Sequence, residues 1–260
     1  MALTIPCTQT STDFLPERHH MTRAIVVSPT YNEAENLPAL AERLLGLEPA
    51  IDVLIVDDAS PDGTGAIADG IAAREPRFRV VHRTGPRGYA AASREGLRLA
   101  LDDGYDVVCT MDADLSHDPA DIPRLLASAA AGADLTIGSR YVDGGEIVVD
   151  WGPVRHAVSR MGSRYARLMT GAKVNDCTSG FRCYRAAALR AVPLDAMHSD
   201  GYSFLIEVLA TLSRAGSRIA EVPIRYVDRR AGASKISRRI IIEAFWITTG
   251  LGFRRILGRS

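Results

Sequence analysis

The chain has 260 residues, of which 47% are hydrophobic and 24% are charged, and its formal net charge is zero. This is an ordinary globular composition with enough apolar residues for a substantial core. It contains no run of the roughly 18 to 20 apolar residues that a membrane-spanning helix needs. We expect no nucleic acid among its partners.

The neutral total conceals an uneven distribution of charge. From residue 225 to the end there are nine Lys and Arg residues against two acids, which leaves 22 against 29 in the preceding part. A basic end on an acidic body is expected to meet an anionic ligand or surface, either phosphates or membrane headgroups.

The cysteines and the start of the chain indicate the compartment. The four cysteines form no Cys-x-x-Cys pair and have no matching histidine spacing, so neither a zinc site nor a disulfide framework is expected. Residues 1–22 lack a basic start followed by an apolar run, and we predict a flexible N-terminal leader there. A cytoplasmic, reducing location fits these features best.

Apolar runs typical of buried strands alternate with helical patterns as far as residue 140. Strands are predicted at 24–29, 51–56, 79–82, 107–111 and 133–139, and helices at 32–47, 65–74, 88–101 and 122–131. Parallel neighbours need crossovers of about a dozen residues. The alternation therefore predicts a mostly parallel, doubly wound α/β sheet.

The regular alternation ends after residue 140. The predicted elements are a mobile loop at 144–151, a helix at 154–169, a strand at 176–184, a helix at 204–215, a last strand at 218–222 and a tail helix at 237–253. The tail combines aromatic residues with arginines at both ends, which suits a helix lying in a bilayer interface. A core-packing or dimerising helix explains its apolar residues equally well.

Two pairs of carboxylates directly follow two of the predicted strands. Asp57 and Asp58 follow the second strand, and Asp112 and Asp114 follow the fourth. The carboxyl ends of parallel strands form the ligand-binding edge of such sheets, and neighbouring carboxylates repel each other unless a cation neutralises them. Mg²⁺ or Mn²⁺ carrying a phosphate would meet that demand. Taken alone, Asp-x-Asp is more simply explained as a solvated acidic turn.

Other charged residues bear on the same edge. Arg140 directly follows the fifth strand, although a surface salt bridge would also explain an arginine there. Asp57 and Asp58 alone would suit a phospho-acceptor receiver domain, but such domains are about half this length. Histidine 117, after the acidic pair, more readily suits a turn than a ligand.

Five motifs in this order resemble those of the family-2 glycosyltransferases of the GT-A fold, closest to the dolichol-phosphate (polyprenol-monophosphate) mannose synthases. They occupy residues 28–33, 56–64, 111–117, 138–141 and 179–182. The resemblance implies a GT-A catalytic domain over 23–236, followed by a basic amphipathic tail over 237–260. It also implies transfer of mannose from GDP-mannose to a polyprenyl (dolichyl) phosphate with inversion, and Mg²⁺ or Mn²⁺ as cofactor.

The resemblance also assigns residues to the donor. The nucleoside pocket corresponds to Pro29, Tyr31, Glu33, Val56 and Asp58, with Asp57 assisting. The Asp-x-Asp motif corresponds to Asp112, Ala113 and Asp114, with Asp114 as the main metal and diphosphate anchor and Asp112 supporting the ribose or the metal. Further diphosphate contacts fall at Arg229 and Lys235, on a loop whose closure would exclude water.

Arg140 matches a cation that meets phosphate, which we assign to the lipid acceptor. A phosphate monoester is already ionised at neutral pH, so positioning cations matter more than a catalytic base. Access to the lipid would come from the tail and the 154–169 helix at the cytoplasmic face of a membrane, or from a separate membrane-anchoring subunit. The alternatives are a GT-A transferase using UDP-glucose or another nucleotide sugar with a lipid-phosphate or glycan acceptor, and a non-catalytic nucleotide-sugar-binding regulator.

Overall fold

Strands and helices alternate through the first part of the chain, as the hydrophobic pattern predicts. The computed structural model describes residues 22–149, 152–197, 199, 201–227 and 238–257. The strands are β1 (Ala24–Thr30), β2 (Asp52–Asp57), β3 (Phe78–His82), β4 (Val107–Thr110), β5 (Leu135–Ser139), β6 (Glu146–Val148), β7 (Arg182–Arg185), β8 (Ile219–Pro223) and β9 (Arg225–Val227). The α-helices are α1 (Leu37–Leu45), α2 (Thr64–Ala72), α3 (Tyr89–Asp102), α4 (Ile122–Ala130), α5 (Pro153–Thr170), α6 (Ala186–Leu189), α7 (Ser203–Arg214) and α8 (Arg238–Ile256).

The main sheet has seven strands in the order β3-β2-β1-β4-β7-β5-β8. Strands β1 to β4 run parallel to one another, and β5 is parallel to β8. The chain moves outward from β1 to β3 and then returns to place β4 on the other side of β1. That reversal makes the β1/β4 boundary the topological switch point, where open α/β sheets bind ligands outside their carboxyl ends.

Strand β7 is the exception to the parallel arrangement. It lies between β4 and β5 and is antiparallel to both, so β4 and β5 run in the same direction. The N-terminal end of β7 therefore lies at the same edge as the carboxyl ends of β4 and β5. The predicted mostly parallel sheet is confirmed, and this inserted strand brings the chain before Arg182 to the ligand-binding edge.

Two predicted segments differ from the structure. Part of the loop expected at 144–151 forms β6, which pairs with β9 in a separate two-stranded sheet. This three-residue strand is largely exposed and carries no alternating pattern that would reveal it. The strand expected at 176–184 begins only at Arg182, because residues 178 and 179 donate backbone hydrogen bonds to the Asp176 carboxylate and form a turn.

The sheet is covered on both faces, and successive strand residues point to opposite faces. Ile25 and Val27 of β1 contribute to the core shared with α3, α5 and α7, whereas Val26 contributes to the core shared with α1, α2 and α4. Helix α8 packs against α5 and α7, and its Leu251 is buried in the first of these cores. Within the described residues, no helix has the length and apolarity to cross a bilayer.

Helix α3 approaches β1 and β2 closely at a glycine. A Cβ on Gly96 would overlap Val27 Cγ1 and lie 2.9 Å from Val56 Cγ2, both in the packed core. Hydrogen therefore fits at this position without displacing the strands, and a methyl group does not.

We predict that Gly96→Ala destabilises the protein in spite of alanine's higher helix propensity. Overpacking costs about 1 to 3 kcal/mol and exceeds the roughly 1 kcal/mol that alanine gains in a helix. The matched control is Gly70→Ala in α2, where an added Cβ meets nothing within 4 Å and stability should rise. Urea unfolding measures both. A Gly96→Ala variant as stable as the parent would contradict the packing argument.

Candidate active site

The predicted catalytic residues come together at the switch-point edge of the sheet. Asp112 and Asp114 follow the carboxyl end of β4, and Arg140 follows the carboxyl end of β5. The turn between Asp176 and Phe181 enters the same edge ahead of β7. The topology thus places an acidic turn and a cation on either side of the inserted strand.

Backbone strain is concentrated at this edge. Among the described residues, three that are not glycine have positive φ angles, namely Asn32 at 57°, Ala59 at 55° and Leu115 at 59°. They lie in the turns after β1, β2 and β4 respectively. Such conformations cost about 1 to 3 kcal/mol each and cluster where function constrains the backbone.

The Asp114 carboxylate is buried and fixed by its own turn. Its Oδ1 accepts hydrogen bonds from the Ser116 backbone N–H at 3.1 Å and from the Ser116 hydroxyl at 2.6 Å. The left-handed conformation of Leu115 turns the chain so that Ser116 can donate back to Asp114. Ala113, between the two acids, is buried.

Asp112 lies beside a glycine and a tyrosine that line the same edge. A Cβ on Gly180 would be 3.0 Å from the hydroxyl of Tyr89, which it would crowd, and 3.5 Å from Asp112 Oδ1, which is ordinary contact. Burial and the negative charge of Asp112 raise the pKa of Tyr89, which stays protonated. Tyr89 also stacks on Tyr202, with ring centroids 4.8 Å apart.

The donor set suits a metal that arrives with a ligand. Within the described ranges, no three His, Cys, Asp or Glu side chains are grouped to hold a metal ion. Mg²⁺ commonly takes only one or two protein carboxylates and completes its shell with water and substrate phosphates. Asp112 and Asp114 fit a shared metal-diphosphate site and do not fit a closed structural one.

The Arg140 guanidinium is paired with a buried carboxylate. Its Nε and Nη2 donate to the two oxygens of Asp176 at 2.7 and 2.8 Å, and Nη2 also donates to Thr178 Oγ1. The exposed fractions of the two side chains are 9% and 0%. The rings of Tyr141 and Tyr226 lie 5.2 and 5.4 Å from the guanidinium carbon.

This pairing fixes both charges. Burial tends to lower the pKa of Arg140, but the adjacent Asp176 outweighs it and raises the pKa. Burial tends to raise the pKa of Asp176, but the charge and hydrogen bonds of Arg140 bring it below its usual value. Arg140 is therefore a permanent cation with a defined orientation at the edge of the site.

His117 lies in the turn after β4 and is buried there. Its ring stacks on Phe181 with centroids 5.1 Å apart and meets the edge of Tyr226 at 5.4 Å. Burial lowers its pKa to about 4, an effect opposed by the charge of Asp114 and reinforced by Arg140. Its Nδ1 is buried and makes no hydrogen bond within the described part of the chain.

The carboxylates after β2 are bonded within the protein. Asp58 forms a buried salt bridge with Arg83 and accepts the Gly88 backbone N–H at 2.7 Å. Asp57 accepts hydrogen bonds from the Ser60 hydroxyl at 2.6 Å and from the Ser60 backbone N–H at 3.2 Å. Asp57 thus shapes its turn, while Asp58 joins that turn to the start of α3.

The other predicted nucleoside contacts flank this turn. Pro29 and Val56 pair in the β1/β2 register, and the Val56 side chain is fully buried beneath α3. The Tyr31 hydroxyl accepts a hydrogen bond from Arg87 at 2.9 Å, and the Glu33 carboxylate accepts one from Asn36 at 2.8 Å. The predicted diphosphate contacts Arg229 and Lys235 lie outside the described residues.

Several residues of this edge were not assigned a role from the sequence. They are Arg83, Tyr89, Ser116, His117, Asp176 and Tyr226. Arg83 was detectable in principle, because it directly follows β3 at the same edge as Asp58. Ser116 was also detectable, because an Asp residue commonly accepts hydrogen bonds from the residue two positions later in a turn. The contacts of Tyr89, His117, Asp176 and Tyr226 join residues from separate elements, and no local pattern predicts them.

Comparison of the sequence with known protein families identifies the family of this chain. Residues 25–192 match glycosyl transferase family 2. The chain belongs to this family. Family membership makes it a glycosyltransferase, and it confirms the GT-A resemblance of the five motifs.

Individual relatives extend the match beyond the family domain. The chain is 49% identical to an undecaprenyl-phosphate mannosyltransferase of Micrococcus luteus, over 85% of this chain and 90% of the relative. It is 43% identical to a polyprenol monophosphomannose synthase of Mycolicibacterium smegmatis, over 92% of this chain and 90% of that relative. Among solved structures, glucosyl-3-phosphoglycerate synthase of Mycobacterium tuberculosis, in complex with Mn²⁺ and UDP, has a TM-score of 0.65 at 20% identity over 92% of this chain and 81% of that one. This last similarity supports the fold.

We predict that Asp176→Asn lowers the free energy of unfolding by about 3 to 5 kcal/mol, because it leaves the Arg140 charge buried without its partner. Because the pKa of Asp176 is depressed, the ion pair contributes fully to the free energy of unfolding above about pH 4. This contribution is lost as the pH falls further and Asp176 becomes protonated. Urea unfolding between pH 3 and pH 7 should therefore show a weaker acid dependence for the variant.

The control is Asp103→Asn, which breaks a partly exposed ion pair with Arg79 and should cost less than about 1 kcal/mol. Equal losses in the two variants would contradict the importance of the buried pair.

Proposed function

We propose that this glycosyltransferase transfers mannose from GDP-mannose to a polyprenyl phosphate and forms a β-linked mannosyl phosphate. The observation that carries the proposal is the convergence of Asp112, Asp114 and the oriented Arg140 at the switch-point edge. An acidic pair suits a metal-bound diphosphate, and a fixed guanidinium suits a second phosphate. The two mannosyltransferase relatives support the sugar and the lipid acceptor.

Asp114 and Asp112 hold the diphosphate end of the donor through a divalent metal. When bound, Mg²⁺ or Mn²⁺ neutralises the negative charge that develops on the leaving diphosphate. Asp114 meets this role already oriented, because Ser116 fixes one of its oxygens. Pre-oriented groups need no rearrangement during the reaction.

The nucleoside lies across the turns after β1 and β2 in this proposal. Pro29, Tyr31, Glu33 and Asp58 offer side chains there, while the buried Val56 offers only its backbone. Ala113 likewise contributes backbone beside the two acids. Arg229 and Lys235 are proposed to contact the diphosphate.

Arg140 orients the acceptor phosphate for direct attack on the anomeric carbon. A phosphate monoester is ionised at neutral pH, so the attack needs no protein base. Displacement of the α-linked GDP then inverts the configuration at that carbon. Proximity and charge stabilisation at this edge supply the catalysis.

A donor and acceptor panel tests this function. With Mn²⁺ and a polyprenyl phosphate, we expect GDP release from GDP-mannose, and we expect Asp114→Ala to lower turnover by at least about 100-fold because the diphosphate loses its anchor. The control is Asp195→Asn, a change at a largely exposed acid that pairs with Arg98 of α3 and was assigned no role. Its turnover should match that of the parent.

Two outcomes would replace the proposed function. Turnover of UDP-glucose but not GDP-mannose would assign the fold to another donor, with a lipid phosphate or a glycan as acceptor. Binding of GDP-mannose without GDP release from any lipid phosphate would instead indicate a nucleotide-sugar-binding regulator.

We further propose that α5 and α8 rest on the membrane that holds the acceptor. Both helices bury one face against the body and expose large apolar side chains on the other. These exposed residues are Val158, Met161 and Leu168 of α5, and Ile242, Phe245, Trp246, Phe253 and Ile256 of α8. Exposed arginines accompany them at 160, 164, 167, 254 and 255. Apolar stripes beside arginines suit insertion among anionic headgroups.

This face is directly connected to Arg140. The Tyr141 hydroxyl lies 2.6 Å from the Ser159 hydroxyl of α5, and the Arg160 guanidinium lies 5.7 Å from the Tyr141 ring centroid. A lipid whose chain lies in the bilayer can therefore present its phosphate beside α5. The cytoplasmic face of the membrane is the proposed side, and a separate anchoring subunit covering the same stripe is the alternative occupant.

We predict that the double change Trp246→Ser and Phe253→Ser weakens binding to anionic vesicles by at least about tenfold, because two exposed side chains no longer enter the interface. Donor affinity should stay unchanged. Point variants are preferable to removing the tail, since Leu251 of α8 belongs to the core.

The control is Val148→Ser, which alters a partly exposed apolar side chain on β6. Vesicle flotation measures all three proteins. Equal binding by the double variant would argue against membrane docking through this face, and would leave an anchoring subunit as the means of access.

A further inference from the structure

Tyr226 is the point where the acidic turn and the Arg140 pair meet. It lies in β9, a short strand outside the main sheet, and was given no role by the motifs. Its side chain is only partly buried. The residue therefore contributes little to the core, and its contacts need another explanation.

The first set of contacts joins Tyr226 to the donor anchor. The Val227 backbone N–H donates to the Ser116 carbonyl at 3.0 Å, which holds β9 against the acidic turn. The Ser116 hydroxyl donates to Asp114 at 2.6 Å and is also in hydrogen-bonding contact with the Tyr226 oxygen. Ser116 thus lies between the Tyr226 hydroxyl and the carboxylate of Asp114.

The second set of contacts uses the ring and leads to the acceptor side. The Arg140 guanidinium carbon lies 5.4 Å from the Tyr226 ring centroid, within cation–π range. The ring also meets His117, which stacks on Phe181 at the entrance of β7. The ring therefore supports the cation while the hydroxyl supports the acid.

We propose that Tyr226 is a positioning residue that sets the spacing between the donor anchor at Asp114 and the acceptor cation at Arg140, with the hydroxyl acting on the first and the ring acting on the second. This inference rests on the proposed function, since it assigns the two phosphates to those two residues. Misplacement by about an ångström between reacting groups can cost a large part of the rate.

The division between hydroxyl and ring gives a test that a merely structural role would not satisfy. Tyr226→Phe keeps the ring and removes the hydrogen bond, so the Kd for GDP with Mn²⁺ should rise about 3- to 10-fold while the KM for polyprenyl phosphate stays the same. Tyr226→Ala removes both groups, so both quantities should rise. It should also increase the fraction of GDP-mannose lost to hydrolysis, because the acceptor is less well placed.

Tyr141→Phe is the matched control for the donor measurement. It also removes a hydroxyl from a ring beside Arg140, but that hydroxyl bonds Ser159 of α5 and not the acidic turn. Its Kd for GDP with Mn²⁺ should equal that of the parent. Thermal unfolding of all variants identifies any loss that comes from destabilisation alone.

A double-mutant cycle with Ser116→Ala tests the hydrogen-bonded route. If the Tyr226 hydroxyl acts through Ser116, the double variant Ser116→Ala/Tyr226→Phe should bind GDP with Mn²⁺ no more weakly than Ser116→Ala alone. Additive losses, or a Tyr226→Phe affinity equal to that of the parent, would overturn the inference. Failure of the parent itself to bind GDP with Mn²⁺ would instead refute the proposed donor site.

Discussion

The buried ion pair between Arg140 and Asp176 is the constraint on which the proposed acceptor side of the site depends. Arg140 leaves the carboxyl end of β5, and Asp176 begins the turn that leads into the antiparallel β7. Their bidentate contact joins the end of β5 to the turn that precedes β7. Because a buried charge without its partner is costly, the pair also fixes where the guanidinium can point. A cation fixed in this way can orient a phosphate without first giving up rotational freedom.

On the proposed donor side, the charged side chains are carboxylates, and they too are held in place by partners within the protein. Asp58 is balanced by Arg83, and Asp114 is held by Ser116, so each carboxylate already has a defined geometry. Asp112 lies beside Gly180, whose missing side chain leaves room for the Tyr89 hydroxyl. Positive φ angles in the three turns after β1, β2 and β4 show that the backbone there is strained, and the surrounding core offsets this cost. The fold thus supplies rigidity at the edge where the proposed function needs two phosphates held at a defined separation.

Most of the sheet was predictable because its strands are fully buried apolar runs and its crossover helices have a helical apolar period. The carboxyl-edge location of Asp112, Asp114 and Arg140 follows from that alternation. The reversed direction of β7 was not predictable, since a buried strand has the same composition in either direction. The partners of Asp58 and Arg140 were also missed, because they lie 25 and 36 residues away in sequence. The burial of His117 within the turn after β4 was not predicted, because it depends on Phe181 and Tyr226, which come from distant parts of the chain.

The stereochemistry of the lipid product tests the central claim most directly. If the donor diphosphate is held at the acidic turn and the acceptor phosphate at Arg140, the acceptor attacks the anomeric carbon in a single displacement. Nuclear magnetic resonance of the product from GDP-mannose and polyprenyl phosphate should then show only the β-mannosyl phosphate. An α-linked product would mean retention, by a double displacement or by attack on the face that the diphosphate leaves, and would contradict this arrangement of the site.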